Sequence, residues 1–313
     1  MKAIRLHAYA GPLALDEIPA PAITDDDVLV KIKSAAVNHL DLVEASGAAK
    51  NIFPIDLPWI PGHEFSGVVE RLGKAVDGFA PGDAVFGNSR SGAYAEYLAV
   101  RPAAIVKKPS KLSYEEAASV PVAAQTAWQG IFTHGRLAKG QSILIHGGAG
   151  AVGAYAVQLA AQAGAKVIVT ASGADESYLT SIGASRVIDY RKLRFENELR
   201  DKVDVVFDLI GGETQQRSFQ LLRKGGYLIA ANQPVSQEEA AKHGVTGLMM
   251  NVTPSAEGLG RIARLLEAGS VRTDVAAVYA LEEAARAWED LAGGPGAAKA
   301  TRRKHGKIIL RVA

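Results

Sequence analysis

Apolar and polar positions divide the chain into two textures. From Ser142 onward, short apolar runs alternate with segments of helical periodicity. They predict strands over 142–147, 166–171, 186–190, 203–210, 226–231 and 246–251, and helices near 151–163, 175–182, 213–223 and 236–242. Alternation of this kind predicts an α/β fold, a parallel sheet with helices on both faces. Six strands match a doubly wound sheet. Residues 1 to about 120 read differently. Short strands such as Val28 to Ser34, Gly67 to Leu72 and Asp83 to Phe86 are separated by turns such as Asp25-Asp26-Asp27 and Pro81-Gly82-Asp83. That spacing predicts a small β-barrel or sandwich-like unit. Ser113-Tyr-Glu-Glu116 has the spacing of a capping box and predicts a helix start.

The tail changes texture again. Glu257 to Ala268 and Leu281 to Leu291 are amphipathic, Gly293-Gly-Pro-Gly296 is a loop, and Lys307 to Val312 is a final strand. This tail is expected to fold back onto the N-terminal β-rich part.

Composition narrows the functional classes. The 313 residues include 48% hydrophobic and 22% charged positions, enough for a sizeable core in about two domains. A net charge of +2 gives no basic footprint for nucleic acid, and Arg302-Arg303-Lys304 reads as a solvated turn. No cysteine is present, so disulfides, thiolate metal ligands and cysteine nucleophiles are excluded. No segment approaches about 18 uninterrupted apolar residues. The expectation is a cytoplasmic enzyme with no membrane partner.

Ile143 to Gly153 carries the strongest chemical signal: a buried strand runs into a turn that fits G-x-G-x-x-G at Gly148, Gly150 and Gly153. Glycines there permit a tight turn, close approach to a pyrophosphate, and close packing of helix on strand. The following helix N-terminus offers free N–H groups to phosphates. This predicts dinucleotide contacts at Gly148, Ala149, Gly150, Ala151 and Val152. The second strand ends at Ser172 with no carboxylate at its tip, leaving room for a ribose phosphate. Tyr190 and Arg191 end the third strand and could flank the adenine and that phosphate, so the expected cofactor is NADPH. Asp175 dissents, unless it merely opens the next helix.

Six stretches taken together resemble a known family: Ala36-Val-Asn-His-Leu-Asp41, Pro61-Gly-His-Glu-Phe-Ser-Gly67, Gly82-Asp-Ala-Val-Phe-Gly87, Gly92-Ala-Tyr-Ala-Glu-Tyr97, Thr126-Ala-Trp-Gln129 and the glycine turn. In this order and spacing the chain resembles a medium-chain dehydrogenase/reductase of the zinc-independent quinone oxidoreductase branch. The resemblance implies a GroES-like catalytic domain of residues 1–120 completed by 270–313, a Rossmann domain of residues 121–269, and an active cleft at their junction. That division assigns the helix at 257–268 to the Rossmann part, whereas the tail reading folds it back. Members often form homodimers.

Zinc relatives carry a histidine of the Gly62-His63-Glu64 motif on their metal. They have a cysteine where Asn38 stands and another near Val120 and Pro121. A catalytic zinc needs about three protein ligands, and an amide is a poor one. The pattern argues against metal, and His63 and Glu64 are read as hydrogen-bonding the cleft wall or loop backbone. Without a metal, hydride transfer suits quinones or α,β-unsaturated carbonyls, whose conjugation delocalises the arriving charge.

Asn38 is the candidate catalytic and substrate-facing amide, or else an Asx-type loop brace. His39 matches a position near the cofactor phosphates, or is an exposed loop histidine. Leu40 replaces the hydroxyl relay of alcohol dehydrogenases, and Asp41 is read as structural. Thr126 matches the residue that packs on the nicotinamide, with helix packing as the alternative. Strand tips at Asp208, at Ala231, Asn232 and Gln233, and at Asn251 and Val252 are placed for cofactor contact. Lys307 matches a basic position reaching the pyrophosphate, or is a surface lysine. Phe53, Trp59 and Trp128 line an apolar acceptor pocket, or belong to ordinary core. The expected function is NADPH-dependent reduction of quinones. Enone or 2-alkenal double-bond reduction is the nearest alternative, and a noncatalytic NADPH-binding sensor or structural protein is the alternative of another class.

Overall fold

The computed structural model describes residues 1–293 and 305–312. Gly294 to Gly296 of the expected loop, and the basic run Arg302 to Lys304, lie outside the described residues. Two compact units emerge, residues 1–122 with 254–313, and residues 123–253. The expected boundary at 269 is therefore displaced. The helix at 256–267 belongs to the first unit, because Glu267 accepts hydrogen bonds from the Ser110 backbone N–H (2.8 Å) and Ser110 hydroxyl (2.7 Å).

The first unit opens with β1 (Lys2–Leu6) paired to β2 (Leu13–Glu17), followed by β3 (Val28–Ala36) and helix α1 (His39–Ser46). It continues through β4 (Glu64–Leu72), β5 (Ala84–Asn88), β6 (Tyr97–Val100), β7 (Ile105–Lys107) and α2 (Tyr114–Ala118). The Ser113 box is present: its hydroxyl accepts from Glu116 N–H at 3.1 Å, and Glu116 accepts from Ser113 N–H at 2.8 Å. Helix α1 is an addition, since the periodicity predicts no helix over this segment. Asp41, three residues after Asn38, accepts the Asn38 N–H at 2.8 Å and so closes the helix start.

Helix α3 (Pro121–Trp128) runs on through a π-helical turn to His134, and from there the second unit is regular. Its elements are β8 (Ser142–His146), α4 (Ala151–Gln162), β9 (Lys166–Ala171), α5 (Glu176–Ser181), β10 (Arg186–Asp189), α6 (Phe195–Glu198), β11 (Val203–Asp208), α7 (Gly212–Ser218), β12 (Leu222–Ala230), α8 (Gln237–His243) and β13 (Thr246–Met249). The six strands are all parallel, in the order β10-β9-β8-β11-β12-β13. This is the doubly wound order, with ligand sites outside the carboxyl ends of the strands. One boundary moved substantially. The helix expected to reach 223 ends at Ser218, because Leu222 is drawn into register with Val203 and begins β12.

The chain returns to the first unit with α9 (Ala256–Glu267), β14 (Val275–Ala280), α10 (Ala284–Ala292) and β15 (Lys307–Arg311). Strand β15 inserts between β14 and β3 in the seven-stranded sheet. Its pairing of Ile309 with Ala36 is antiparallel, and Val37 N–H donates to Ile308 C=O at 2.9 Å. Lys307 is thereby carried to the start of α1. Phe65, Tyr94, Ile32 and Leu310 are fully buried in the core beneath this sheet. Among the described residues, no helix is long and apolar enough to cross a membrane.

Candidate active site and cofactor turn

Within the second unit, β8 delivers the chain into the glycine turn. Each glycine has a different reason to be there. A Cβ on Gly148 would lie 2.0 Å from Val169 Cγ1, and one on Gly153 would lie 2.3 Å from the Gly147 carbonyl. Those two positions are closed by packing. A Cβ on Gly150 would meet only the Gly147 oxygen, at 3.4 Å, so its open face is where an incoming group would approach. Gly150 is the N-cap of α4 and gives no side-chain cap. The first-turn N–H groups of Ala151, Val152 and Gly153 have no intrahelical acceptor. An uncapped helix start behind an open glycine face fits the pyrophosphate of a dinucleotide. Ala149 and Gly150 present this face, whereas Gly148 is buried and serves packing.

The turn is fixed from behind by a residue the sequence reading did not single out. His146, at the end of β8, is fully buried, with Nδ1 2.9 Å from Thr170 Oγ1 and Nε2 2.9 Å from Ser218 Oγ. Ser218 donates its own proton to Thr214 C=O, so it accepts from His146 Nε2–H. Burial holds this imidazole down at about 4, against a smaller opposing influence of Asp208. Its signal in the sequence was its place, directly before Gly147.

At the adjoining strand tips, the Ser172 hydroxyl accepts from Ala174 N–H at 3.4 Å. Tyr190 is 57% exposed, with the Arg191 guanidinium 5.8 Å from its ring centre. Asp208 corrects its expected role. It is fully buried, and its carboxylate accepts from Ile210 N–H (3.0 Å), Gly211 N–H (2.9 Å) and Gln215 Nε2 (3.2 Å). Its carboxylate braces the loop. Ala231 N–H donates to the Asp208 carbonyl, Asn232 Nδ2 to the Ile210 carbonyl, and the Gln233 amide packs on Gly211, so these tips are drawn together. The exposed Asn251 and half-buried Val252 lie next to a segment held by a reciprocal pair between the Gln129 amide and the Thr253 backbone. Thr126 is buried on α3, and Trp128 packs edge-on against Phe132 at 4.8 Å.

The first unit holds a buried charged network at the start of α1. Glu64, fully buried on β4, pairs with the Lys307 ammonium. It also accepts from Asn38 Nδ2 (3.1 Å) and Val122 N–H (2.7 Å). Lys307 donates as well to Asn38 Oδ1. Both ends of the Asn38 amide are thus committed to protein partners, with Ala36 C=O a further acceptor at 3.4 Å. The catalytic reading of Asn38 is corrected on this ground: it is buried and is an internal brace, as its Asx-type alternative has it, held by two charged side chains. The reading of Lys307 as a pyrophosphate or surface residue is corrected likewise, since it is buried and paired.

A second layer lies beside it. Asp41 accepts from Tyr94 OH (3.0 Å) and Gly62 N–H (3.2 Å), and Trp288 Nε1 donates to Tyr94 OH at 3.3 Å. His63 Nε2 lies 2.7 Å from Glu44 and 3.6 Å from Asp41. Burial pushes the His63 imidazole down, but the Glu44 hydrogen bond and the Asp41 charge outweigh it and leave it raised. Burial raises Asp41 despite neighbouring His63, and raises Tyr94 well above its ordinary value. Donor atoms of Asp41, Glu44 and His63 lie within 4.8 Å of one another, a spacing a cation could span. His39 opens α1 and is exposed. Phe53 is 39% exposed, whereas Trp59 corrects its pocket role: it is 5% exposed, packed with Leu6 and Ala45 and bridged to Leu6 by two backbone hydrogen bonds.

Residues 24–110 match the alcohol dehydrogenase GroES-like domain, and residues 182–310 match a family described as zinc-binding dehydrogenase. Among curated relatives, the mouse quinone oxidoreductase is 30% identical over 99% of this chain and 97% of its own length. The Arabidopsis thaliana chloroplastic NADPH-dependent alkenal/one oxidoreductase is 33% identical over 87% of this chain and 71% of its own. The tomato (Solanum lycopersicum) 2-methylene-furan-3-one reductase is 35% identical over 82% of this chain, which spans only 65% of that protein's length. Among solved structures, the Coxiella burnetii quinone oxidoreductase aligns at a TM-score of 0.87 with 31% identity over 100% and 99% of the two chains. The Escherichia coli quinone oxidoreductase complexed with NADPH aligns at 0.87 with 25% identity over 99% and 100%. A GroES-like unit, a doubly wound unit and these near full-length likenesses agree: the chain belongs to the medium-chain dehydrogenase/reductase superfamily, in its quinone oxidoreductase-like branch.

Proposed function

We propose that this protein is an NADPH-dependent reductase that delivers hydride to quinones or similarly activated carbonyl acceptors without zinc. The observation that carries the reading is the glycine turn, with its open Gly150 face and the uncapped N-terminus of α4. When bound there, the dinucleotide supplies a hydride. The chain contributes binding and orientation: Ala149 to Val152 at the pyrophosphate, and Ser172, Tyr190 and Arg191 at the adenosine end. The Lys307–Glu64–Asn38 network holds the start of α1, and thus His39, in place.

Zinc independence is supported by the chemistry of the donors. Asn38, which stands where zinc relatives have a cysteine, and Glu64, next to His63, hold the Lys307 ammonium between them. That positive charge opposes a divalent cation, and Asn38 is a weak ligand for one. In the Asp41–Glu44–His63 cluster, Asp41 is engaged by the Asn38 and Gly62 N–H groups and Tyr94, and His63 by Glu44. Enone or 2-alkenal reduction is the second reading, favoured by the two plant relatives. Cytoplasmic location and homodimer assembly belong to the same proposal: a chain without cysteine suits a reducing compartment, and sizing in solution tests the assembly.

The experiment is NADPH oxidation against a panel of quinones, 2-alkenals and cyclic enones, with and without chelator, and metal content measured on the purified protein. Turnover of quinones unaffected by chelator is expected. Activity confined to simple alcohols and dependent on stoichiometric zinc refutes the proposal.

A further inference from the structure

We propose that Asp189 sets the balance between the two nicotinamide cofactors by opposing negative charge at the adenosine end. The inference rests on the dinucleotide reading above. Parallel pairing of β10 with β9 places Asp189 beside Ala171, one residue before the Ser172 tip. The residue after that tip is Gly173, whose backbone lies outside the left-handed region that would call for glycine. Its reason is spatial. A Cβ on Gly173 would lie 2.6 Å from Asp189 Oδ2 and 3.2 Å from its Cγ. The carboxylate therefore rests on the turn backbone that follows the second strand, and glycine makes room for it.

In a doubly wound sheet this tip is where the adenosine ribose lies, and a carboxylate there favours the unphosphorylated ribose. The usual carboxylate comes from the second strand itself. Here the second strand ends in a hydroxyl, and the charge arrives from the third strand instead. A 2′-phosphate brings up to two negative charges, which Asp189 repels and Arg191 attracts. Lys192 does little to cancel Asp189: its ammonium is 3.8 Å away on a side chain 80% exposed. Asp189 also has a structural task, because its Oδ1 accepts the Arg191 N–H at 3.0 Å and shapes the Tyr190–Arg191 turn. Asparagine keeps that acceptor and removes only the charge.

The test is calorimetric titration of wild type and Asp189→Asn with NADPH, NADH, adenosine 2′,5′-bisphosphate and ADP, at low salt and at high salt. The expected result is roughly fivefold tighter binding of NADPH and the bisphosphate to the variant, NADH and ADP changed less than about twofold, and a smaller difference at high salt. Equal shifts for both cofactors, or none, overturn the proposal and leave Asp189 a turn brace alone. Asp189→Ser, which also removes the charge, must shift the ratio the same way, and decides the matter if the first variant does not fold. A wild-type protein that binds neither dinucleotide refutes the functional reading itself, a result distinct from binding without discrimination.

Discussion

Replacing Lys307 by methionine should be among the most destabilising surface-neutral changes available to the first unit. The substitution keeps the aliphatic stem and removes the ammonium, leaving the Glu64 carboxylate 0% exposed with Asn38 Nδ2 and Val122 N–H as its partners among the described residues. Breaking one side of a buried ion pair costs about 3–5 kcal/mol, because the remaining charge stays desolvated. Neutralising the partner as well, in Glu64→Gln with Lys307→Met, should return more than half of that loss. Urea unfolding followed by tryptophan fluorescence in a Trp128→Phe background reads this unit, since Trp59 and Trp288 both belong to it and Trp128 to the second. A single-variant cost below about 1 kcal/mol, or a double variant no more stable than the single one, would refute the buried-network argument.

Two further outcomes follow from the second unit. His146 is held neutral in the fold, with its imidazole at about 4 against 6.5 in the unfolded chain. Between those values the unfolded state binds more protons, so stability is whole above about pH 6.5 and falls as pH drops towards 4, by on the order of 3 kcal/mol. Unfolding monitored at Trp128, in a background with Trp59 and Trp288 replaced by Phe, should show that slope with His146 and lose it in His146→Gln; an unchanged slope in the variant contradicts the assignment. Gly148→Ala should destabilise the unit by about 1–3 kcal/mol through overlap with Val169. Gly150→Ala should alter stability by less than about 1 kcal/mol yet weaken NADPH binding, because its methyl projects into the open face. Equal stability losses at the two glycines would show that the turn is packing throughout.

How much of this was legible in the sequence depended on how local the cause was. Strand–helix alternation fixed the doubly wound sheet because each apolar run buries both faces within its own segment. The Ser113 box was readable for the same reason: four adjacent residues satisfy one another. Helix α1 escaped because its cap, Asn38 closed by Asp41 three residues on, has the polar texture of a loop. The roles of Asn38 and Lys307 were not legible, since their partnership joins residues 269 apart through the register of β15 on β3. Asp208 was misread because position at a strand tip says where the backbone goes, not which way the carboxylate turns. Asp189 was passed over for the opposite reason, as its relation to Gly173 exists only once two strands are paired.

The placement of β15 between β14 and β3 in the seven-stranded sheet also orders events in time. The second unit is a single continuous stretch, residues 123–253, and can close as soon as that stretch has been synthesised. The first unit must hold β3 and β4 unfinished until β15 arrives, with Glu64 still lacking its cation. Its core therefore closes through very distant contacts, the slow kind to form. For that interval the N-terminal strands have an open edge, so a ribosome-bound chain stalled before residue 307 is the form of this protein with most need of a chaperone.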